Sequence, residues 1–219
     1  MFAESNRNLR SSLLYMSSGE RRPKTILVAS AVPNEGKSTV AANLARTMAF
    51  GGARVLLVDA DLRRGTQHQF LELSRAPGLA DYLRGACSLG EAIRETSLPN
   101  LSLVPSGQVT NDAGELLLNP RMDHLIKTAY SQFDYVVFDS APVFAADDTP
   151  TLSPKMDGIL FVVRGSFTRA KFARQALEML RHRRVNILGI VFNRVNSSSD
   201  DYYYYKYSNY DTASKSASA

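Results

Sequence analysis

The sequence predicts an α/β fold: a mostly parallel open sheet flanked by helices on both faces. Two observations carry this. Short apolar runs alternate with amphipathic stretches across residues 24–196, as in repeated βαβ units. Most of these runs are continuous in Val, Ile, Leu and Phe rather than alternating, as expected of strands covered on both faces.

The elements follow in order. Residues 1–23 are polar and Arg-rich with spaced leucines, and read as a helix that ends before Pro23. Strands are expected at Thr25–Ala31, Arg54–Ala60, Leu101–Pro105, Asp134–Asp139, Gly158–Val163 and Ile187–Asn193. Helices are expected at Ser38–Phe50, Asp112–Leu118, Arg121–Gln132 and Thr168–Arg184. The last of these mixes basic and apolar residues at helical spacing, the pattern of a surface helix packed on a sheet. Residues 197–219 contain no Val, Ile, Leu, Met or Phe, and seven of them are Ser. Such a segment buries too little to offset its ordering entropy and is expected to be a disordered tail. The organisation is thus an N-terminal helix (1–23), a core domain (24–196) and a tail (197–219).

Composition narrows the class. The chain has 219 residues, 44% hydrophobic and 21% charged, which suits one globular domain. A net charge of +5 spread along the sequence does not point to nucleic acid. The single cysteine, Cys87, leaves no internal disulfide and fits a reducing compartment. No apolar run reaches the roughly 18 residues of a membrane span. His68, His124 and His182 share no metal-ligand spacing. One number is out of line: six of the ten tyrosines fall between Tyr202 and Tyr210.

The first strand runs into Ala31-Val32-Pro33-Asn34-Glu35-Gly36-Lys37-Ser38-Thr39, and a helix follows. This fits the P-loop pattern with Ala in place of the first Gly, and with it the P-loop NTPase fold. A tight loop turns backbone N–H groups toward phosphates, and the helix N-terminus adds positive potential. Pro33 through Thr39 are therefore the expected ATP-binding segment. Lys37 bridges β- and γ-phosphate oxygens, and the Ser38 hydroxyl is an expected Mg²⁺ ligand. Asn34 stands where a second glycine would be comfortable, and Asn tolerates positive φ. Two further strands end in acids, one at Asp59-Ala-Asp61-Leu-Arg63-Arg64 and one at Asp139-Ser-Ala-Pro142. Open parallel sheets bind ligands outside the carboxyl ends of their strands. Asp59, Asp61 and Asp139 should therefore converge on Lys37 and Ser38.

The P-loop, the Val55–Arg63 hhhhDxDxR segment, the Phe138–Pro142 hhhDxxP segment and the tyrosine-rich tail together resemble the bacterial tyrosine kinases. Glu4, Arg7 and Arg10 match that family's ExxRxxR helix. Gly78-Leu79…Leu83 is similar to another of its segments. One departure is Asn111–Leu118, which lacks the proline often found in the corresponding family segment. The resemblance implies an ATP- and Mg²⁺-dependent protein tyrosine kinase that regulates capsular or exopolysaccharide synthesis and export through cycles of oligomer assembly. Asp59 and Asp61 would be the acids of the second Walker motif and Asp139 that of the third. Glu4, Arg7 and Arg10 would mediate a ring-like homo-oligomer, and Asn193 with Arg194 would meet the adenine edge. The resemblance also implies a transmembrane co-polymerase or adaptor, fused or separate, and a cognate phosphotyrosine phosphatase. Location would be cytoplasmic, at the inner face of the plasma membrane. The chain is then either a separate kinase or a cut cytoplasmic domain.

The reaction expected is transfer of the ATP γ-phosphoryl group to a tyrosine hydroxyl. Asp59 is the candidate for taking or orienting the phenol proton, with Asp61 and Asp139 as Mg²⁺ ligands directly or through waters. Arg63 and Arg64 are candidates for contact with phosphate or an acidic tail. The expected acceptors are Tyr202, Tyr203, Tyr204, Tyr205, Tyr207 and Tyr210, reached in trans on a neighbour's tail. Phosphorylation would add charge that loosens the ring. The rivals are a MinD/ParA-type positioning ATPase and a nucleotide-binding adaptor of an export complex without kinase activity. The former carries an extra early P-loop lysine where this sequence has Val32.

Overall fold

The computed structural model describes residues 2–16 and 22–195. The tyrosine cluster expected to be the acceptor lies outside the described residues.

Chain order is α1 (Phe2–Met16), β1 (Thr25–Ser30), α2 (Lys37–Phe50), β2 (Val55–Asp59), α3 (Gln67–Phe70), α4 (Leu79–Leu83), α5 (Leu89–Ala92), β3 (Arg94–Glu95), β4 (Leu101–Val104), α6 (Ala113–Leu118), α7 (Pro120–Gln132), β5 (Tyr135–Asp139), α8 (Asp148–Leu152), a 3₁₀ turn (Ser153–Lys155), β6 (Gly158–Arg164), α9 (Ala170–His182) and β7 (Ile187–Asn193). The seven strands form one sheet in the order β3-β4-β2-β5-β1-β6-β7. All neighbours pair parallel except the two-residue β3, which runs antiparallel to β4.

The runs of β1, β2 and β5 prove to be strands with two buried faces, whereas β7 leaves Ile190 and Phe192 exposed. In β1, Ile26 and Val28 point to one side and Leu27 and Ala29 to the other. The first side packs on Val40, Leu44 and Met48 of α2, and on Leu13 of α1 beyond it. The second packs on Leu79 and Leu83 of α4, Leu117 of α6, Leu125 of α7 and Leu180 of α9. Helices therefore cover both faces, as expected. The basic helix α9 buries only Ala176 and Leu180, so it is a surface helix on the sheet.

Five expected boundaries on α2, α6, α7 and α9 shift by one or two residues, and local chemistry sets the ends. Pro120 is at the first turn of α7, where its missing N–H costs nothing, and the Asn119 side chain accepts from the Arg121 N–H at 2.9 Å. The short helices α3, α4, α5 and α8 were not expected. Each has four or five residues, too few for a readable period.

Helix α1 lies against α2. Leu13 is buried, and the Arg10 guanidinium donates to the Thr47 carbonyl at 3.1 Å. Glu4 and Arg7 are exposed. Of the three residues expected at an oligomer interface, Arg10 thus already holds its own α2.

Candidate functional site

The site is built at the carboxyl ends of β1, β2 and β5, the central strands. β1 delivers the chain into the P-loop at Ala31. Gly36 then takes φ +89°, a backbone sign that favours glycine, and a Cβ there would push the Asn193 side-chain nitrogen aside. Asn34 also takes positive φ, at 67°, as its residue type suggests. Helix α2 begins directly at Lys37, so its N-terminal N–H groups face the cleft where phosphate would sit.

The acids converge as expected. Asp59 and Asp139 are register partners on adjacent strands β2 and β5, and both are fully buried. Lys37 Nζ lies 3.4 Å from Asp61 Oδ2, 3.6 Å from Asp139 Oδ1 and 3.3 Å from Ser38 Oγ. Burial works to lower the lysine's proton affinity, but Asp139, Asp61 and Asp59 outweigh it and hold the ammonium form. Asp59 moves well above the usual carboxylate range, chiefly through burial and then through the neighbouring Asp139 charge. Asp139 moves up too, again mainly by burial, with Lys37 opposing the shift. Among the described residues, Lys37 is the cation paired with Asp61 and Asp139.

A cleft of about 870 Å³ opens over these groups. It is lined by Pro33, Asn34, Gly36, Lys37, Ser38 and Thr39 from the P-loop, with Asp61, Arg63, Arg64, Pro142, Arg164, Phe167 and Arg194 around it. Asp61 is thus the second-motif acid on the cleft wall, while Asp59 sits enclosed behind it. Asp61 Oδ1 also accepts from the Arg64 N–H at 2.9 Å. Arg63, a candidate for phosphate or tail contact, is taken by the buried Asp148 at 3.1 Å and the Asn111 carbonyl at 3.0 Å.

Two residues expected to meet the nucleotide also bond within the loop. Glu35 is completely buried. Its carboxylate accepts from the Val32 N–H at 2.7 Å and from the Thr168 hydroxyl, which ties the P-loop to the turn after β6. The Asn193 side-chain amide donates to the Glu35 carbonyl at 2.9 Å and accepts from the Arg194 N–H at 3.0 Å. In the described structure, Asn193 braces the P-loop backbone.

The residues present fit a divalent ion carried in with a nucleotide. Among the described residues the buried Asp59 Oδ1 accepts no hydrogen bond, and Asp139 Oδ1 has Lys37 Nζ at 3.6 Å, so both keep capacity for a cation. Among the described residues no three His, Cys, Asp or Glu side chains are grouped to hold a metal by themselves. Mg²⁺ suits such a place, since it keeps several waters and takes phosphate oxygens with only one or two protein ligands.

Sequence reasoning missed Gln67, Thr168, Arg164 and Phe167. Gln67 carries no local signal, being one of three polar residues in the four-residue helix α3. Arg164 donates to the Asn34 carbonyl at 3.0 Å and stacks over Phe167 at 4.6 Å, a pairing that needs β6 and the P-loop side by side.

The AAA domain family model matches residues 24–154. The tyrosine-protein kinase YwqD of Bacillus subtilis (strain 168) is 34% identical over 204 residues, covering 93% of this chain and 86% of YwqD. The succinoglycan biosynthesis transport protein ExoP of Rhizobium meliloti (strain 1021) is 35% identical over 217 residues. That match covers 98% of this chain but only 27% of ExoP, so the chain spans under a third of that relative. Among solved structures, the kinase domain of the Escherichia coli tyrosine kinase ETK superposes with a TM-score of 0.82 at 30% identity, over 90% of this chain and 79% of that one. The Pyrococcus furiosus cell division ATPase MinD shares the fold at a TM-score of 0.68 and 25% identity, over 81% of this chain and 74% of that one. With the P-loop, the paired strand-end acids and the enclosing helices in place, the chain belongs to the bacterial tyrosine kinase family of P-loop AAA-type domains.

Proposed function

We propose that this chain binds Mg·ATP in the P-loop cleft and transfers the γ-phosphoryl group to tyrosine hydroxyls, those of its own C-terminal cluster foremost. The observation that carries the reading is the convergence of Lys37, Ser38, Asp61 and Asp139 at the open end of the central strands. Lys37 and the α2 N-terminus neutralise phosphate charge, which is most of what phosphoryl transfer asks of a protein. Ser38 with Asp61 or Asp139 would hold the Mg²⁺, which supplies further neutralisation of the transferring group.

Burial raises the proton affinity of Asp59, which suits the group that takes the phenol proton. The position of Asp61 on the cleft wall favours it for the same role. The Asp59→Asn and Asp61→Asn variants separate the two. The proton acceptor is the residue whose loss lowers turnover while Mg·ADP binding stays.

The acceptors proposed are Tyr202, Tyr203, Tyr204, Tyr205, Tyr207 and Tyr210 of a neighbouring copy, in a ring-like assembly to which Glu4 and Arg7 of α1 contribute. Arg10 contributes by anchoring α1 to α2. A transmembrane co-polymerase at the inner face of the plasma membrane and a phosphotyrosine phosphatase complete the proposed cycle, in line with the tyrosine kinase and polysaccharide transport names of the relatives.

Mass spectrometry and anti-phosphotyrosine detection after incubation with Mg·ATP test the reading. Phosphate on the tail of the wild type, absent in Lys37→Met, is expected. A wild type that turns ATP over and leaves every tyrosine unmodified would instead mark a positioning ATPase.

A further inference from the structure

Gln67 supplies three hydrogen-bond donors to three different parts of the site. Its backbone N–H donates to Asp59 Oδ2 at 2.9 Å. Its side-chain amide donates to Asp139 Oδ2 at 2.8 Å and to the Ser38 carbonyl at 3.0 Å. The residue is completely buried, and so are both acids. Beside it, Asp59 Oδ1 and Gln67 Oε1 accept no hydrogen bond among the described residues, and Asp139 Oδ1 faces the Lys37 ammonium. A carboxylate in a dry pocket has strong directional demands, because each lone pair left without a donor is expensive there. The Gln67 amide fixes one oxygen of Asp139 and leaves Oδ1 as the oxygen within reach of Lys37 Nζ at 3.6 Å. By bonding Ser38 in the same stroke, it ties the third-motif acid to the first turn of α2.

We propose that Gln67 is a positioning residue for the metal-bearing part of the site: it orients Asp139 and locks that acid to the Ser38 turn, so that the two present a preset pair of oxygens to a divalent cation arriving with the nucleotide. Asp59 is held through the Gln67 backbone, so substitution of the side chain leaves that bond in place and isolates the Asp139–Ser38 link. The cost of losing such an outer partner is ordinarily about 10- to 100-fold in metal affinity.

The inference rests on the nucleotide-binding reading above and not on kinase activity, so its test reads binding alone. A fluorescent ADP analogue is titrated with Mg²⁺ against wild type, Gln67→Leu and Gln67→Glu, alongside metal-free analogue binding and unliganded thermal melts. Leu keeps most of the volume without a donor. Glu keeps the shape and places a further acceptor against Asp139, and it serves if Leu does not fold. The expected result is a Mg²⁺ midpoint raised by about 10-fold or more in the folded variants, with metal-free binding changed less than twofold. An unchanged Mg²⁺ midpoint, whatever happens to the melting temperature, overturns the inference, as does an equal loss of metal-free and metal-dependent binding. A wild type without Mg²⁺-dependent binding overturns instead the nucleotide reading beneath it.

Discussion

Strands β5 and β7 lie in the same parallel sheet, three places apart, and meet different solvents. In β5 every residue from Val136 to Asp139 is fully buried. In β7, Ile190 and Phe192 stand 48% and 61% exposed, and among the described residues the strand pairs on one side, with β6. The contrast divides the labour. A carboxylate at the end of β5 is dry, shifted in proton affinity and sensitive to every neighbour, which is what binding and transfer of phosphate charge require. The end of β7 supplies Asn193, an uncharged side chain that supports the P-loop backbone from the rim. Central strands carry the electrostatics; the edge strand contributes position.

Substitutions test that division, beginning where the effect is largest. Asp139→Asn keeps shape and removes one of the buried charges facing Lys37. Tyrosine phosphorylation is expected to fall by about 100-fold or more, as measured by initial-rate phosphopeptide counting. A drop of less than about threefold would place the chemistry elsewhere on the sheet.

Phe138→Ala, beside that acid on β5, is expected to cost about 3–5 kcal/mol in urea unfolding, since it opens a cavity among residues that cannot collapse into it. Asp59→Asn should act in the opposite direction. The folded chain holds a proton on Asp59 at pH values where the unfolded chain has released it. Stability of the nucleotide-free protein therefore falls as pH rises from the ordinary carboxylate range through the raised Asp59 value. Removing the charge removes that slope, so Asp59→Asn should melt at a higher temperature than wild type at neutral pH and nearly the same below pH 4. A lower neutral-pH melting point would show that the Gln67 and Lys37 contacts already compensate the buried charge.

Phe192→Ser on β7 gives the smallest effect, within about 1 kcal/mol of wild type in the same unfolding experiment, because most of that side chain is already in water. A loss comparable to that of Phe138→Ala would show that the edge is covered in solution, and would end the comparison as drawn.

Much of this was legible in the sequence, for reasons that differ by element. The central strands were readable because a parallel strand covered twice is a continuous apolar run, whereas the two-residue antiparallel β3 carries no such signal and was not expected. The P-loop was readable because glycine, lysine and serine must hold fixed spacing to turn a backbone around phosphate. The acids were readable because they directly follow strands and so emerge at one end of the sheet. Gln67 was not, and neither was the diversion of Arg63 to Asp148. Those partnerships join residues 72 and 85 positions apart, and nothing in the local sequence selects one partner over another.

Sequence by itself determined six of the strands, the phosphate loop and the identity of the charged groups, since each depends on local period, local backbone freedom or residue chemistry. It also recorded the tyrosine cluster, whose role stands as a proposal. The tertiary structure alone decided how those groups are apportioned: Asp61 on the cleft wall, Asp59 enclosed, Glu35 and Asn193 turned to bracing the loop, and Gln67 linking two motifs. The physical reason is burial. A polar side chain takes its duty from the donors and acceptors that surround it once water is gone, and only the packed fold sets which those are.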